Sequence, residues 1–178
     1  MRFVKLGLIS IVGLFLVIFL MSLLIPSHVR ISRAINISAP ADSVKYYLSN
    51  LRQWEQWNTL IKTAENTNPR YSQNGFTSDG LQVLLIGAKS DTITTAWRME
   101  KEAGREIGSG FTLHTADNTT VVQWYFDFYL KWYPWEKFGS IIFDKQLGPP
   151  MEQSLGNSKK SWKPRSIRLI SLPLKQIR

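Results

Sequence analysis

The side chains best suited to moving protons near neutral pH are two histidines, His28 and His114. His114 stands three residues before Asp117, so one interpretation is a base oriented by a carboxylate. The alternative, which we favour, is a partly exposed histidine at the end of a strand, close to a turn. With no cysteine and no second histidine at ligand spacing, the sequence gives a metal centre almost no support. We therefore predict no catalytic residue, no metal ion and no cofactor.

Aromatic side chains are the other distinctive feature, because the sequence contains seven tryptophans, nine phenylalanines and six tyrosines. Trp54 and Trp57 stand three apart in the mostly polar stretch NLRQWEQWNTL, residues 50–60. Sites for apolar ligands are concave and lined mainly by such side chains. Ordinary core packing is the alternative for any single aromatic residue, since each buries roughly 150–250 Å². Their number favours an apolar binding site.

An uncharged apolar run, Leu6 to Ile25, precedes the rest of the chain and is closed by Pro26. As a helix, its 20 residues would span roughly 30 Å, the thickness of the hydrocarbon core of a bilayer. A cleaved signal peptide has a shorter apolar region and a small-residue cleavage site, so we favour an uncleaved anchor. Two basic residues precede the run and two follow it closely. Together with the amino-terminal charge, this balance favours a domain on the extracytoplasmic side.

The net charge of +9, from 22 basic and 13 acidic residues, invites a nucleic-acid interpretation. All of the acids lie between Leu6 and Ser154, where an equal number of bases balances them. The excess is at the two ends, above all in the tail from Lys159 to Arg178. Attraction of that tail to anionic lipid, or its simple solvation, explains the excess better than a phosphate-binding groove. We predict no nucleic-acid partner, and we list contact of the tail with anionic lipid as a candidate interaction.

Hydrophobic periodicity indicates the elements that must position these residues. The stretch HVRISRAINIS, residues 28–38, alternates as a strand with one buried face, and a helix with one apolar stripe follows from Ser43. Further strands are predicted over Thr92 to Met99 and Ile107 to His114, with turns at Gly104 and Asn118. The clearest strand is Thr119 to Leu130, one face of which carries Val122, Trp124, Phe126, Phe128 and Leu130.

Three stretches together resemble a known family. RAINISAPADSVKYYLSNLRQWEQWN, residues 33–58, resembles the opening of the START-like, or SRPBCC, superfamily of polyketide cyclase and lipid-transfer proteins. Residues 118–124, NTTVVQW, look like the last strand of that family, and residues 143–157 resemble its C-terminal helix. The resemblance covers roughly Val29 to Lys160.

The resemblance implies an α+β helix-grip fold, in which a curved antiparallel sheet wraps around a long C-terminal helix and leaves a cavity for apolar ligands. Among the departures from the family, which include Ser158 in place of a leucine and the dissimilar tail from Ser161 to Arg178, two modify this expectation. Pro149 and Pro150 fall inside the expected helix, so we predict a stop at Gly148 and a new helix after it. The segment from Lys62 to Asp79 lacks an obvious hairpin, which allows a sheet that is short by a strand or two.

We thus predict a transmembrane anchor (1–26), a START-like domain (27–160) and a basic tail (161–178). The predicted function is non-catalytic binding of a hydrophobic small molecule or lipid between sheet and helix. Two alternatives are a cyclase or dehydratase that uses the same cavity, and an envelope scaffold that binds no ligand. The residues predicted to bind the ligand are Trp57, Trp97, Phe111, Trp124 and Phe126, with Tyr125 and His114 as candidate polar contacts.

Overall fold

The computed structural model describes residues 2–62, 67–100, 105–116 and 119–161, and every element below lies within these ranges. The helices are α1 (Arg2–Leu23), α2 (Ala41–Ser49), α3 (Leu51–Trp57), α4 (Pro134–Gly139) and α5 (Phe143–Ser161). The strands are β1 (His28–Ile37), β2 (Arg70–Tyr71), β3 (Gly75–Thr77), β4 (Leu81–Ala88), β5 (Thr92–Met99), β6 (Glu106–Ala116) and β7 (Thr119–Tyr129). Short 3₁₀ turns lie at Leu60–Lys62 and Ser140–Ile142.

Within the described residues the strands form one antiparallel sheet of seven, in the order β1-β7-β6-β5-β4-β3-β2. The first strand therefore lies beside the last, with His28 opposite Tyr129 and Ile37 opposite Thr120. The sheet curves around α5, which packs against both β1 and α3. This is the predicted α+β helix-grip fold preceded by an apolar helix, and the fold prediction is confirmed.

A short hairpin, β2 with β3, lies in the segment from Lys62 to Asp79, where no hairpin was evident from the sequence. Its strands are two and three residues long, which is too short for an alternating pattern to be visible. The rings of Tyr71 and Phe76, which face each other across it, have centroids 5.0 Å apart, and Phe76 is fully buried. The turn residues predicted further along, Gly104 and Asn118, lie outside the described residues.

The inner face of the sheet is strongly aromatic, and β7 shows why. Trp124 and Phe126 are fully buried, Phe128 is packed against the core, and the intervening side chains point to the outer face. On the neighbouring strand Phe111 lies directly opposite Trp124. The predicted alternation in this strand therefore places the large aromatic side chains between the sheet and the helices.

Helix α5 runs without a break through Pro149 and Pro150, so the predicted stop at Gly148 is wrong. Each proline lacks the N–H that would donate a helical hydrogen bond, at a cost of about 3 kcal/mol or more. The helix nevertheless continues because its apolar side is covered: Met151 and Leu155 are buried in the core. A break at Gly148 would withdraw these side chains from the sheet.

Helix α1 is, within the described residues, the one helix that is long and apolar enough to cross a membrane. A signal sequence near the N-terminus also meets this criterion, so the helix alone does not distinguish it from a membrane anchor. Its last turns contact α4. The Lys137 ammonium donates to the carbonyl oxygen of Ile25 at 2.9 Å, and the Phe19 ring packs edge-on against Trp132, with centroids 6.3 Å apart. The start of β1 and the segment after β7 therefore both lie at the end of the sheet that adjoins α1.

Candidate functional site

The five residues predicted to line a ligand site do come together, as one aromatic cluster on the inner face of the sheet. Trp57 comes from α3, Trp97 from β5, Phe111 from β6, and Trp124 and Phe126 from β7. All five are fully buried, with at most 1% of their surface exposed. Their rings are in direct contact, with centroid distances of 5.2 Å for Phe111–Trp124, 5.0 Å for Trp97–Phe126 and 5.9 Å for Trp57–Trp124. Trp54 also belongs to the cluster, since its ring centroid lies 5.4 Å from that of Trp57.

Most indole N–H groups of this cluster are paired inside the protein. The Trp54 Nε1 donates to the carbonyl oxygen of Leu48 at 2.8 Å. The sheet supplies two further acceptors, as the Trp97 Nε1 donates to Thr95 Oγ1 (3.1 Å) and the Trp124 Nε1 to Ser109 Oγ (2.9 Å). Sequence reasoning did not single out Thr95 or Ser109, although both stand at inward positions of their strands.

Trp57 differs from the other tryptophans of the cluster. Its Nε1 is buried and has no hydrogen-bond partner among the described residues, and the same holds for Nδ2 of the adjacent Asn58. A buried donor without an acceptor costs about 1–3 kcal/mol. The Trp57 indole N–H is therefore a donor that a bound group could accept from.

The structure does not bring His114 and Tyr125 to this face. His114 is exposed, and it pairs with Val121 on the outer side of the sheet. The Tyr125 ring also lies on the outer face, where the guanidinium of Arg30 stands 4.4 Å above its centroid. The Tyr125 hydroxyl packs closely against Gly110, where a Cβ atom would lie only 2.7 Å from it. Neither side chain touches the aromatic cluster from this position.

A cleft of about 610 Å³ lies beside the cluster, between the sheet and the α4–α5 region. It is lined by Met99, Arg105, Ile107, Phe128, Lys131, Glu136, Phe143, Gln146 and Leu147. The apolar lining adjoins the cluster: Ile107 lies opposite Trp97 across β5 and β6, and the Phe128 ring stacks on Phe126 with centroids 6.4 Å apart. The cleft thus has an apolar floor that continues into the buried aromatic core.

The polar lining of the cleft comprises Lys131, Gln146 and an ion pair between Arg105 and Glu136. Arg105 Nη2 lies 3.3 Å from Glu136 Oε2, and it also donates to the carbonyl oxygen of Tyr129 at 3.0 Å. The same Glu136 oxygen accepts from the backbone N–H of Lys131 at 2.8 Å. The Lys131 amide, helped by Arg105, lowers the pKa of Glu136 below its ordinary value, against the opposing effect of burial. Arg105 stands 31 positions before Glu136 in the sequence, so no local pattern could have indicated this ion pair.

A second opening, of about 680 Å³, lies at the other end of β1. It is formed by residues 38–42 with Ser90 and Thr115, which are mostly small or polar. Such a lining offers little apolar surface to a ligand. Within the described residues there is also no group of three or more histidine, aspartate or glutamate side chains that could hold a metal ion. The cleft beside the aromatic cluster is therefore our candidate site.

Solved structures share this architecture. A START superfamily protein from Mycobacterium smegmatis is 15% identical, with a TM-score of 0.52 over 74% of this chain and 95% of that chain. Protein CV1439 from Chromobacterium violaceum is 12% identical, with a TM-score of 0.52 over 78% of this chain and 99% of that chain. At these identities the two likenesses show the fold alone. DynU16, a putative protein in the dynemicin biosynthetic locus, is 17% identical, and its TM-score of 0.48, over 76% of this chain and 46% of that chain, is too low to show a shared fold.

The sequence itself matches a family model. Residues 28–161 match the family described as polyketide cyclase / dehydrase and lipid transport, while no curated protein matches the chain. The predicted START-like resemblance is thereby confirmed. Since the matched range covers about three quarters of the 178 residues, the chain belongs to the polyketide cyclase / dehydrase and lipid transport family.

Proposed function

We propose that this protein binds a hydrophobic small molecule or lipid in the cleft between the sheet and α5. The observation that carries the proposal is the lining of the cleft, where Met99, Ile107, Phe128, Phe143 and Leu147 surround about 610 Å³ of space. Pockets for apolar ligands have this composition and volume. The predicted residues Trp97 and Phe126 would lie beneath the floor of the cleft, in contact with the lining residues Ile107 and Phe128.

We further propose that binding is not accompanied by catalysis. The ionisable side chains that line the cleft are Arg105, Lys131 and Glu136. A general acid needs a raised pKa, whereas that of Glu136 is lowered, so this carboxylate stays charged at neutral pH. The same lowered pKa makes Glu136 a weak general base, and both of its hydrogen bonds, from Arg105 and from the Lys131 amide, stabilise the charged carboxylate at Oε2.

Membrane anchoring is the second part of the proposal. Helix α1 has the length and composition of a membrane span, and most of its side chains are exposed. Contact of the basic tail with anionic lipid would add to the anchoring; residues 162–178 lie outside the described residues, so this stays a prediction. The extracytoplasmic location of the domain is likewise a prediction.

Native mass spectrometry of the full chain, extracted from its membrane in mild detergent, tests the binding proposal. We expect a stoichiometric apolar passenger that solvent extraction identifies. An apo mass that persists after incubation with fatty acids and phospholipids would overturn the proposal and favour the scaffold alternative. Conversion of the passenger to a second compound on incubation would instead favour the cyclase or dehydratase alternative.

A further inference from the structure

The segment between β7 and α5 exposes an unusual amount of apolar surface. We call it the aromatic shelf and define it as the exposed residues Trp132, Trp135, Phe138, Ile141 and Ile142. Trp135 is 67% exposed and Ile141 is 61% exposed. Soluble monomers rarely leave a contiguous patch of large apolar side chains in water, and such patches mark interaction surfaces.

The position of the aromatic shelf indicates its partner. Trp132 packs against Phe19 of α1, and Lys137, buried within the same segment, holds the carbonyl oxygen of Ile25 just beyond the end of α1. The shelf is therefore fixed beside the point where the apolar helix ends. If α1 spans a bilayer, Phe19 lies one turn inside its end and the shelf lies at the surface of the membrane.

The chemistry of the segment agrees with this position. Tryptophan and tyrosine accumulate at the level of lipid head groups, where an apolar ring with a polar edge is stable. Here the Tyr133 ring stacks on Trp135 with centroids 4.9 Å apart, and the Lys131 ammonium stands 5.9 Å from the Tyr133 centroid. The acidic residue of the segment, Glu136, is already paired with Arg105.

We propose that the aromatic shelf docks on the bilayer that holds α1, and that the ligand of the cleft is an amphiphilic lipid drawn from that bilayer. This inference rests on the proposed function, since it needs α1 to be an anchor. The two surfaces are continuous, because Lys131, Glu136 and Phe143 of the cleft belong to the shelf segment or follow it directly. Docking would place the cleft against lipid, so that an acyl chain could enter it without crossing water.

The absence of cysteine from the sequence makes a direct test simple. Single cysteines are introduced into the full chain, labelled with a nitroxide and reconstituted in phosphatidylcholine vesicles. Trp135→Cys and Ile141→Cys report on the shelf, and Leu14→Cys reports on α1. The matched control is Tyr46→Cys, which is 71% exposed on α2, beyond the opposite end of β1. Collision rates with oxygen and with a water-soluble nickel complex then separate lipid from water.

We expect the ratio of oxygen to nickel collisions to be high at position 14, low at position 46 and intermediate at positions 135 and 141. A high ratio at position 14 with shelf ratios equal to that of position 46 would overturn the inference and leave the anchor intact. A low ratio at position 14 would overturn the anchor and the docking together. Shelf positions shielded from both reagents would also overturn it, because a second copy of the chain would then cover the shelf.

Discussion

The guanidinium of Arg33 in β1 lies directly over Gly148 in α5, at a place where any side chain would collide with it. From there it reaches along the helix in both directions, to Asp144 (2.9 Å) and to Glu152 (2.6 Å). These two carboxylates lie on either side of the adjacent prolines, Pro149 and Pro150. One arginine therefore joins the turns of α5 before and after the prolines, and ties both to the edge strand.

The Gly148 contact leads to a prediction about two glycines of the same helix. Alanine is favoured over glycine in a helix interior by about 1 kcal/mol, so Gly156→Ala, which meets no neighbouring atom, should stabilise the protein. Gly148→Ala must displace Arg33 and weaken two ion pairs, so it should be less stable than Gly156→Ala by roughly 1 kcal/mol. Thermal unfolding of the full chain in detergent measures both.

The control is to repeat both changes in an Arg33→Met background. Without the guanidinium, the two alanines should have equal effects, because the collision and the ion pairs are gone together. A persistent difference would show that backbone geometry at Gly148, and not Arg33, decides the result.

The same region shows what the sequence could and could not predict. Alternation in β7 and helical spacing in α2 predicted real elements, because each pattern depends on burial along one short stretch. The course of α5 could not be predicted that way, since Arg33 and Glu152 are brought together only by the fold. The site follows the same rule. The sequence indicated which aromatic residues are buried, but not that they fill their own space and leave the cleft next to them.

Asp127 on the outer face predicts a dependence of stability on pH. Its two carboxylate oxygens accept from Arg30 Nε and Nη2, each at 2.7 Å. The hydrogen bond from Arg30 lowers the pKa of Asp127, with burial opposing it and His28 assisting. Since the folded pKa lies below the unfolded value of about 3.9, the stabilisation is complete above that pH and is lost as the pH falls through the folded pKa.

Asp127→Asn should accordingly lower the free energy of unfolding by about 1 kcal/mol at pH 7. The difference between the wild-type protein and the variant should shrink below pH 4, where the wild-type carboxylate takes up a proton. Urea unfolding across this range measures it, with Glu55→Gln in the exposed part of α3 as the control. A difference that stays constant down to pH 2 would mean that the charge of Asp127 contributes nothing.

The same substitution, tryptophan to phenylalanine, should cost different amounts of stability at Trp124 and at Trp57. Replacing Trp124 by phenylalanine removes the hydrogen bond to Ser109, whereas replacing Trp57 removes a buried N–H that has no partner among the described residues. Both changes remove the same atoms from fully buried sites. We expect Trp124→Phe to be less stable than Trp57→Phe by about 1 kcal/mol in urea unfolding. Equal losses would indicate that the Trp57 indole is paired in solution.

Filling the cleft tests where the ligand binds. Leu147 lines the cleft from α5, so Leu147→Trp should occupy part of its volume and lower the ratio of loaded to apo protein at least about tenfold, or about 1.4 kcal/mol. Native mass spectrometry measures this ratio, and Ile86→Trp, at an exposed site on β4, is the control. Thermal unfolding shows whether Leu147→Trp remains folded. If the folded variant keeps its passenger while Trp57→Phe loses it, the ligand lies within the aromatic cluster, held by the spare indole N–H of Trp57.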